Sequence, residues 1–201
     1  MLTMEQAREE LKIAVRNNPG PWEQHSESTA ENARRIAEKV PGMDPTKAYI
    51  LGLLHDIGRR AGVTGMLHLI DGYDYMLSLD QPEVATICLT HSFAAKNIEY
   101  FEGKHDCTPE QKAFIKDFLD HHEYDDYDKL IQLCDAVSLP EGACIMEKRF
   151  VDVALRYGVQ DYTTKRWRAY LELKKYFDSI CGCDVYTLLP GIVENSMTNL
   201  I

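Results

Sequence analysis

Proline marks the start of several helical segments in this chain. It directly follows a polar residue at three candidate helix starts: Asp44-Pro45, Gln81-Pro82 and Thr108-Pro109. Proline is favoured in the first turn of a helix, where its missing N–H costs no hydrogen bond. No stretch shows the strict apolar/polar alternation of a half-buried strand. The sequence therefore predicts an all-α fold, a helical bundle.

The helix boundaries follow from the prolines, the glycines and the apolar periodicity. The predicted helices span residues 3–15, 21–40, 45–60, 71–79, 82–101, 109–121, 126–139, 141–157 and 163–180. A chain of 201 residues that is 45% hydrophobic can bury one sizeable core. It contains no low-complexity linker, so we expect a single domain over residues 1–201.

A histidine and an aspartate stand together at the end of an apolar helical run. His55 and Asp56 follow residues 48–54, and helical spacing predicts that His25 and Asp135 also face inward. A single inward histidine is more often a hydrogen-bonded core residue than a ligand. Four inward polar groups are costly to bury without a common partner, and a bound cation would satisfy them together. Imidazole nitrogens mixed with carboxylate oxygens favour a transition metal over calcium.

The ordered set His25, His55-Asp56 and Asp135 resembles the signature of the HD superfamily of metal-dependent phosphohydrolases. Residues 53–59, with the sequence Leu-Leu-His-Asp-Ile-Gly-Arg, resemble its central motif. Residues 22–28 resemble the helix of its first histidine, and the segment around Asp135 resembles its closing helix. The resemblance covers about residues 20–140 and implies an HD-type bundle, on which the C-terminal helices of residues 141–201 would pack.

The resemblance also implies two divalent metal ions. His91 and the pair His121-His122 fall between the central motif and Asp135, in the order found in HD branches that hold two metals. Iron is the first choice, with manganese, nickel, cobalt and zinc as alternatives. The implied metal ligands are His25, His55 and Asp135 for one ion, His91, His121 and His122 for the other, and Asp56 as the bridge.

Three residues are candidates for catalysis. Asp56 would hold both ions, and Arg59 would bind a phosphate of the substrate through its forked guanidinium. The alternative for Arg59 and its neighbour Arg60 is a solvated helix cap, favoured by the helix dipole. His68 is a candidate proton donor for the leaving group, with Arg59 and Glu123 as alternatives. A further alternative is that a metal ion alone stabilises the leaving oxygen.

The resemblance is closest to small stand-alone HD hydrolases that act on nucleotides, dinucleoside polyphosphates or related phosphoesters. The sequence after Glu123 lacks the Gly-Tyr-Pro signature of the branch that cleaves cyclic di-GMP, which argues against that substrate. Two alternatives stay open at this point. One is a non-catalytic, metal-bound sensor domain, and the other is a di-iron oxygenase built on the same fold.

Charge and hydropathy restrict the partners. The formal net charge of −10 at pH 7 opposes non-specific binding to nucleic acid, whereas a small phosphorylated substrate can still approach a metal centre. There is no apolar run of membrane-spanning length and no signal-peptide pattern at the N-terminus, so we expect a cytoplasmic protein without membrane contact. The six cysteines are then expected to be reduced thiols. A homodimer is compatible with the sequence.

Overall fold

The computed structural model describes residues 1–198, and helices dominate that range. Its α-helices are α1 (Met4–Asn17), α2 (Trp22–Ala37), α3 (Pro45–Leu54), α4 (Leu67–Ser78), α5 (Pro82–Thr90), α6 (Pro109–His121), α7 (Asp126–Ala136), α8 (Met146–Tyr157), α9 (Thr163–Cys181) and α10 (Ile192–Ser196). Short 3-10 helices cover Ile57–Ala61, Ile98–Tyr100 and Val185–Leu188. Two strands of two residues each, β1 (Ser138–Leu139) and β2 (Gly142–Ala143), form an antiparallel hairpin. The predicted all-α class is confirmed.

The polar and proline signals mark real helix starts. The three prolines are the first residues of α3, α5 and α6. Asp44 caps α3, because its side chain accepts hydrogen bonds from the backbone of Thr46 and Lys47. Thr108 and Gln111 form the reciprocal capping box of α6. Local chemistry at these residues is therefore enough to fix where the helices begin.

Four predicted helices end early, among them the helix 21–40, which ends at Ala37, and the helix predicted at 71–79 begins early, at Leu67. The predicted helix 45–60 breaks after Leu54, the helix 82–101 ends at Thr90, and the helix 126–139 ends at Ala136. In the last case the chain turns through Pro140 into the β1–β2 hairpin, so the following helix begins at Met146 instead of residue 141. His55 and His91 each occupy the position just after a shortened helix. These breaks free the chain to turn at two of the candidate ligands.

Helices α2 and α3 pack tightly against each other, and α7 packs on both. Their contact depends on Gly52, where a Cβ atom would lie only 2.9 Å from the Cα of Ala30. The buried core around them includes Ile36, Leu51 and Leu54. A second apolar cluster joins α4, α5 and α6. This packing brings four helix termini together: the start of α2 and the ends of α3, α5 and α7.

Gly58 allows the closest approach next to the candidate site. A Cβ atom at this position would lie 1.9 Å from the carbonyl oxygen of His68 and 2.5 Å from the backbone nitrogen of Gly72. The 3-10 helix that follows Asp56 can therefore pack directly on α4 only because residue 58 lacks a side chain. This contact places His68 beside Asp56.

Two predictions concern the chain as a whole. Within residues 1–198, no helix is long and apolar enough to cross a membrane. The single domain over residues 1–201 stays a prediction, and its last three residues lie outside the described range. Among the described C-terminal helices, α8 and α9 pack on α7.

Candidate metal centre

The structure brings together five of the predicted metal ligands. His25 lies in the first turn of α2, His55 and His91 directly follow α3 and α5, and Asp135 lies in the last turn of α7. Asp56 follows His55. The ligand atoms lie within 4.8 Å of one another in two groups: His25, His55 and Asp135, and His55, Asp56 and His91. His55 belongs to both groups.

The histidine rings form a continuous chain. The ring centroids of His25 and His55 are 5.4 Å apart, and those of His55 and His91 are 4.9 Å apart, both in edge-on arrangements. The ring of His68 follows at 5.6 Å from that of His91. Burial and the neighbouring rings favour the neutral form of His55 and His91, because both effects lower the pKa of each ring.

Backbone carbonyls set the orientation of three of these rings. The Nδ1–H of His55 donates to the carbonyl of Gly52 at 2.7 Å. The corresponding Nδ1 bonds of His68 and His91, to carbonyls on their own segments, measure 2.5 and 3.1 Å. A carbonyl oxygen can only accept, so each Nδ1 must carry the proton. In the neutral ring Nε2 is then an unprotonated lone-pair donor, the form that ligates metals.

Several polar atoms at the centre of the cluster are buried without a partner. The Nε2 atoms of His55 and His68 and the Oδ1 atom of Asp56 have no hydrogen bond among the described residues. His68 Nε2 lies 3.1 Å from Asp56 Oδ1, but the alignment does not make a hydrogen bond. Burying such atoms without a partner is costly. A cation would satisfy the two imidazole nitrogens and the carboxylate oxygen at once.

The charge states also suit a cation. Burial alone would raise the pKa of Asp56, but Arg59, whose Nε lies 2.5 Å from Asp56 Oδ2, and the neighbouring histidines hold that pKa well below its usual value. Burial lowers the pKa of His55, and burial together with His55 lowers that of His91 to about 3. The site therefore holds a charged carboxylate beside neutral imidazoles.

His25 and Asp135 form the other side of the cluster. His25 Nε2 lies 2.9 Å from Asp135 Oδ1, a distance at which the two share a proton in a hydrogen bond. Burial would raise the pKa of Asp135, but the contact with His25 outweighs it and lowers the pKa. A divalent transition metal accepts this mixture of imidazole nitrogen and carboxylate oxygen. The donor set of the described residues thus fits such an ion.

His121 and His122 lie apart from this cluster. The side chain of His121 is 78% exposed, and its Nδ1–H donates to the carbonyl of Asp117 in its own helix. His122 Nε2 lies 2.8 Å from the buried carboxylate of Asp128, and neither histidine belongs to the two ligand groups. The chain extends at His122 and directs this ring toward the start of α7. The structure places His68 beside Asp56 instead, so the predicted second ligand set is not assembled in this form.

The cluster opens into a cleft of about 520 Å³. Arg59 lines this cleft, whereas the guanidinium of Arg60 lies 3.8 Å above the ring of Tyr75 and takes no part in it. The predicted acid Glu123 does not line it either, and its side chain is 95% exposed. Of the pair Arg59 and Arg60, only Arg59 lines the cleft. Of the candidate proton donors His68 and Glu123, only His68 lines it.

Sequence reasoning missed the opposite wall of the cleft. Arg149 and Arg156 of α8, Arg166 of α9 and the acid Glu102 all line it. The spacing of seven residues between Arg149 and Arg156 indicates one helix face, so a periodicity signal was present. Periodicity does not predict which part of the molecule this helix face contacts. That depends on how the C-terminal helices pack.

Comparison with known proteins finds one match. The family model described as HD domain matches residues 22–139, which is more than half of the chain. The match begins at the start of α2 and ends in the β1 strand, so it includes every member of the two ligand groups. Searches of curated proteins and of solved structures give no significant match.

Proposed function

From the premise that this chain belongs to the HD domain family, whose members are mostly metal-dependent hydrolases, we propose that it is a metal-dependent phosphohydrolase. Its substrate would be a nucleotide, a dinucleoside polyphosphate or a related phosphoester. One observation carries the proposal. The buried, unpartnered atoms of His55, Asp56 and His68 lie close together, and Asp56 and His68 line an open cleft, where a cation and a substrate can meet.

His25, His55 and Asp135 would hold one divalent ion, and His91 with Asp56 would contribute to holding another. When bound, the metal would activate water as a nucleophile and neutralise negative charge on the phosphoryl group. Iron is the first choice of metal, with manganese, nickel, cobalt and zinc as alternatives. The carbonyl contacts of the histidine rings would orient these ligands in advance.

Arg59 and His68 would act directly on the substrate. Arg59 contacts Asp56 through Nε, which leaves its terminal nitrogens free to donate to phosphoryl oxygens in the cleft. His68 holds its Nδ1 proton on the carbonyl of Gly65, so its Nε2 faces the centre. As a proton donor, His68 would first take up a second proton at Nε2, next to Asp56, and would then pass it to the oxygen of the leaving group.

The surroundings of the site support a small, anionic substrate. The cleft volume of about 520 Å³ is in the range of small-molecule sites. With a net charge of −10, the protein would not bind nucleic acid non-specifically. We propose further that it works in the cytoplasm without membrane contact, and a homodimer remains compatible with this function.

Metal analysis and a substrate panel would test the proposal together. The protein would be expressed in medium supplemented with the five candidate metals, analysed for metal content, and assayed for phosphate and nucleotide release from mono-, di- and triphosphates and dinucleoside polyphosphates. We expect bound transition metal and metal-dependent release from at least one compound. Removal of the metal by a chelator should abolish the release, and its return should restore it.

The other two hypotheses for the family predict different results. A sensor domain would bind metal and hydrolyse nothing in the panel. An oxygenase would consume dioxygen and show a mixed-valent iron signal. Absence of bound transition metal after supplementation and titration would overturn the proposal itself.

A further inference from the structure

Three arginines from outside the matched family region reach the candidate site. Arg149 and Arg156 belong to α8 and Arg166 to α9, whereas the family match ends at residue 139. All three line the cleft that also contains Asp56 and Arg59. The C-terminal helices therefore add a basic wall to a cleft whose base is formed by the metal ligands.

Within residues 1–198, two acids form ion pairs with these arginines. Asp152 contacts both Arg149 and Arg156, at 2.9 and 2.8 Å. Arg166 pairs with Glu102 at 2.5 Å. Three guanidinium groups therefore share two carboxylates in direct ion pairs. Glu141 also lines the cleft, but it forms no ion pair with any of these arginines among the described residues.

The arginines retain donors for a ligand. A guanidinium has five N–H groups. Arg149 and Arg156 each use one nitrogen on Asp152, and the side chain of Arg156 is 47% exposed. The Nε atom of Arg166 is buried and has no partner among the described residues. Ion pairs between exposed side chains on one helix are usually weak, solvated contacts. A buried donor without a partner beside the cleft points to a ligand instead.

The basic wall is next to the metal centre. Asp135, Arg149 and Arg166 together line a small cavity behind the cleft. Burial raises the pKa of the Glu102 carboxyl, and the charges of all three arginines partly oppose this rise. The arginines therefore converge on one region rather than pointing in separate directions.

We propose that Arg149, Arg156 and Arg166 form a second phosphate-binding subsite, which selects substrates that carry a phosphoryl group in addition to the one at the metal centre. This inference rests on the proposed function and deepens it. The substrate class is a polyphosphate compound, such as a nucleoside triphosphate or a dinucleoside polyphosphate, and not a simple phosphomonoester. Arginine suits the role because its fork binds two phosphoryl oxygens at once.

Binding of sodium tripolyphosphate tests the subsite without any turnover. The full-length protein, loaded with manganese and freed of excess ions, would be titrated by calorimetry with tripolyphosphate and with orthophosphate. The variants are Arg149→Gln, Arg156→Gln and the double variant. Arg168→Gln is the matched control, because Arg168 is exposed on α9 and does not line the cleft.

Wild type should bind tripolyphosphate more tightly than orthophosphate. Each single variant should weaken tripolyphosphate binding about tenfold, as expected for a lost charge-assisted hydrogen bond. The control should bind like wild type. Equal binding by wild type and the double variant, or no binding by wild type, would overturn the inference. Arg166 is left unchanged in this test because its pair with the buried Glu102 also holds the fold.

Kinetics on AMP and ATP complete the test, since the two differ only in phosphoryl groups. Arg156→Gln should raise the KM for ATP about tenfold and change kcat/KM for AMP by less than about twofold. An equal effect on both nucleotides would overturn the inference while leaving the phosphohydrolase in place. If wild type hydrolyses no phosphoester but the variants still lose tripolyphosphate binding, the proposed function fails and the subsite stands.

Discussion

The histidines of this protein occupy two contrasting environments. His55 and His68 are buried beside Asp56, with their Nε2 atoms unpartnered. His121 is exposed at the end of α6, and His122 is paired with Asp128. Among the described residues the Nε2 atoms of the first pair have no hydrogen-bond partner, whereas His121 is open to solvent and His122 is paired with a carboxylate. Unsatisfied bonding capacity, and not residue type, thus distinguishes a candidate ligand from a structural histidine.

Two buried aspartates extend the comparison. Asp56 is 3% exposed and its Oδ1 has no hydrogen bond, while Asp128 is 2% exposed and accepts from Thr90, His122 and the backbone of Asp125. Asp128 therefore reads as a structural carboxylate that ties α5 to α7. Asp56 is equally buried but has bonding capacity to spare, which fits a ligand.

The largest expected effect comes from exchanging these two aspartates for asparagine. Asp56→Asn should lower kcat/KM by roughly 10³-fold or more, because it removes a charged ligand from the centre. Asp128→Asn should keep metal and activity but unfold at a lower temperature. Metal content, steady-state kinetics and thermal unfolding would be measured on both. Loss of metal from Asp128→Asn with full metal in Asp56→Asn would reverse the assignment.

A smaller effect is expected from the two neighbouring arginines. Arg59→Ala should lower kcat/KM about tenfold, since a charge-assisted hydrogen bond to the substrate contributes about 1.5–3 kcal/mol. Arg60→Ala should leave kinetics unchanged, because its guanidinium lies over Tyr75 and away from the cleft. Metal content should stay constant in both. Identical kinetics for the two variants would remove Arg59 from the site.

The smallest effects concern the pair at the end of α6. His122→Ala should reduce the free energy of unfolding by about 1–2 kcal/mol, because the buried Asp128 loses a hydrogen bond. His121→Ala should change nothing measurable, as expected for an exposed ring. Denaturant unfolding and metal stoichiometry check both. A lower stoichiometry in either variant would show that the pair does ligate, and so restore the two-metal ligand set inferred from the order of the histidines.

The sequence predicted the fold class and five candidate ligands that cluster in the structure, because both depend on local patterns. Capping residues and prolines fix helix starts, and helical periodicity places His25, His55 and Asp135 on inward faces. The predicted ends of α3 and α5 were wrong, because local patterns did not reveal where these helices stop. There the breaks at His55 and His91 come from the packing of the site, which overrides helix propensity.

The remaining differences arise from tertiary distances. His121 and His122 follow the expected order along the chain, but order does not determine where the end of α6 lies. The neighbourhood of His68 depends on the close contact at Gly58, and that of Arg166 depends on how α9 packs. No pattern within a single segment contains that information.

The carbonyl contacts of His55, His68 and His91 have a consequence for how such a centre can change. Each ring is oriented by a carbonyl three or four residues earlier in its own segment. The direction of each Nε2 lone pair is therefore set within its own segment. The distances between the Nε2 atoms depend instead on how the helices pack. A substitution in the core could widen or narrow the centre without turning a single ring. Preference for a cation of one radius over another would then be tuned from the apolar interior, at positions that never touch the ion.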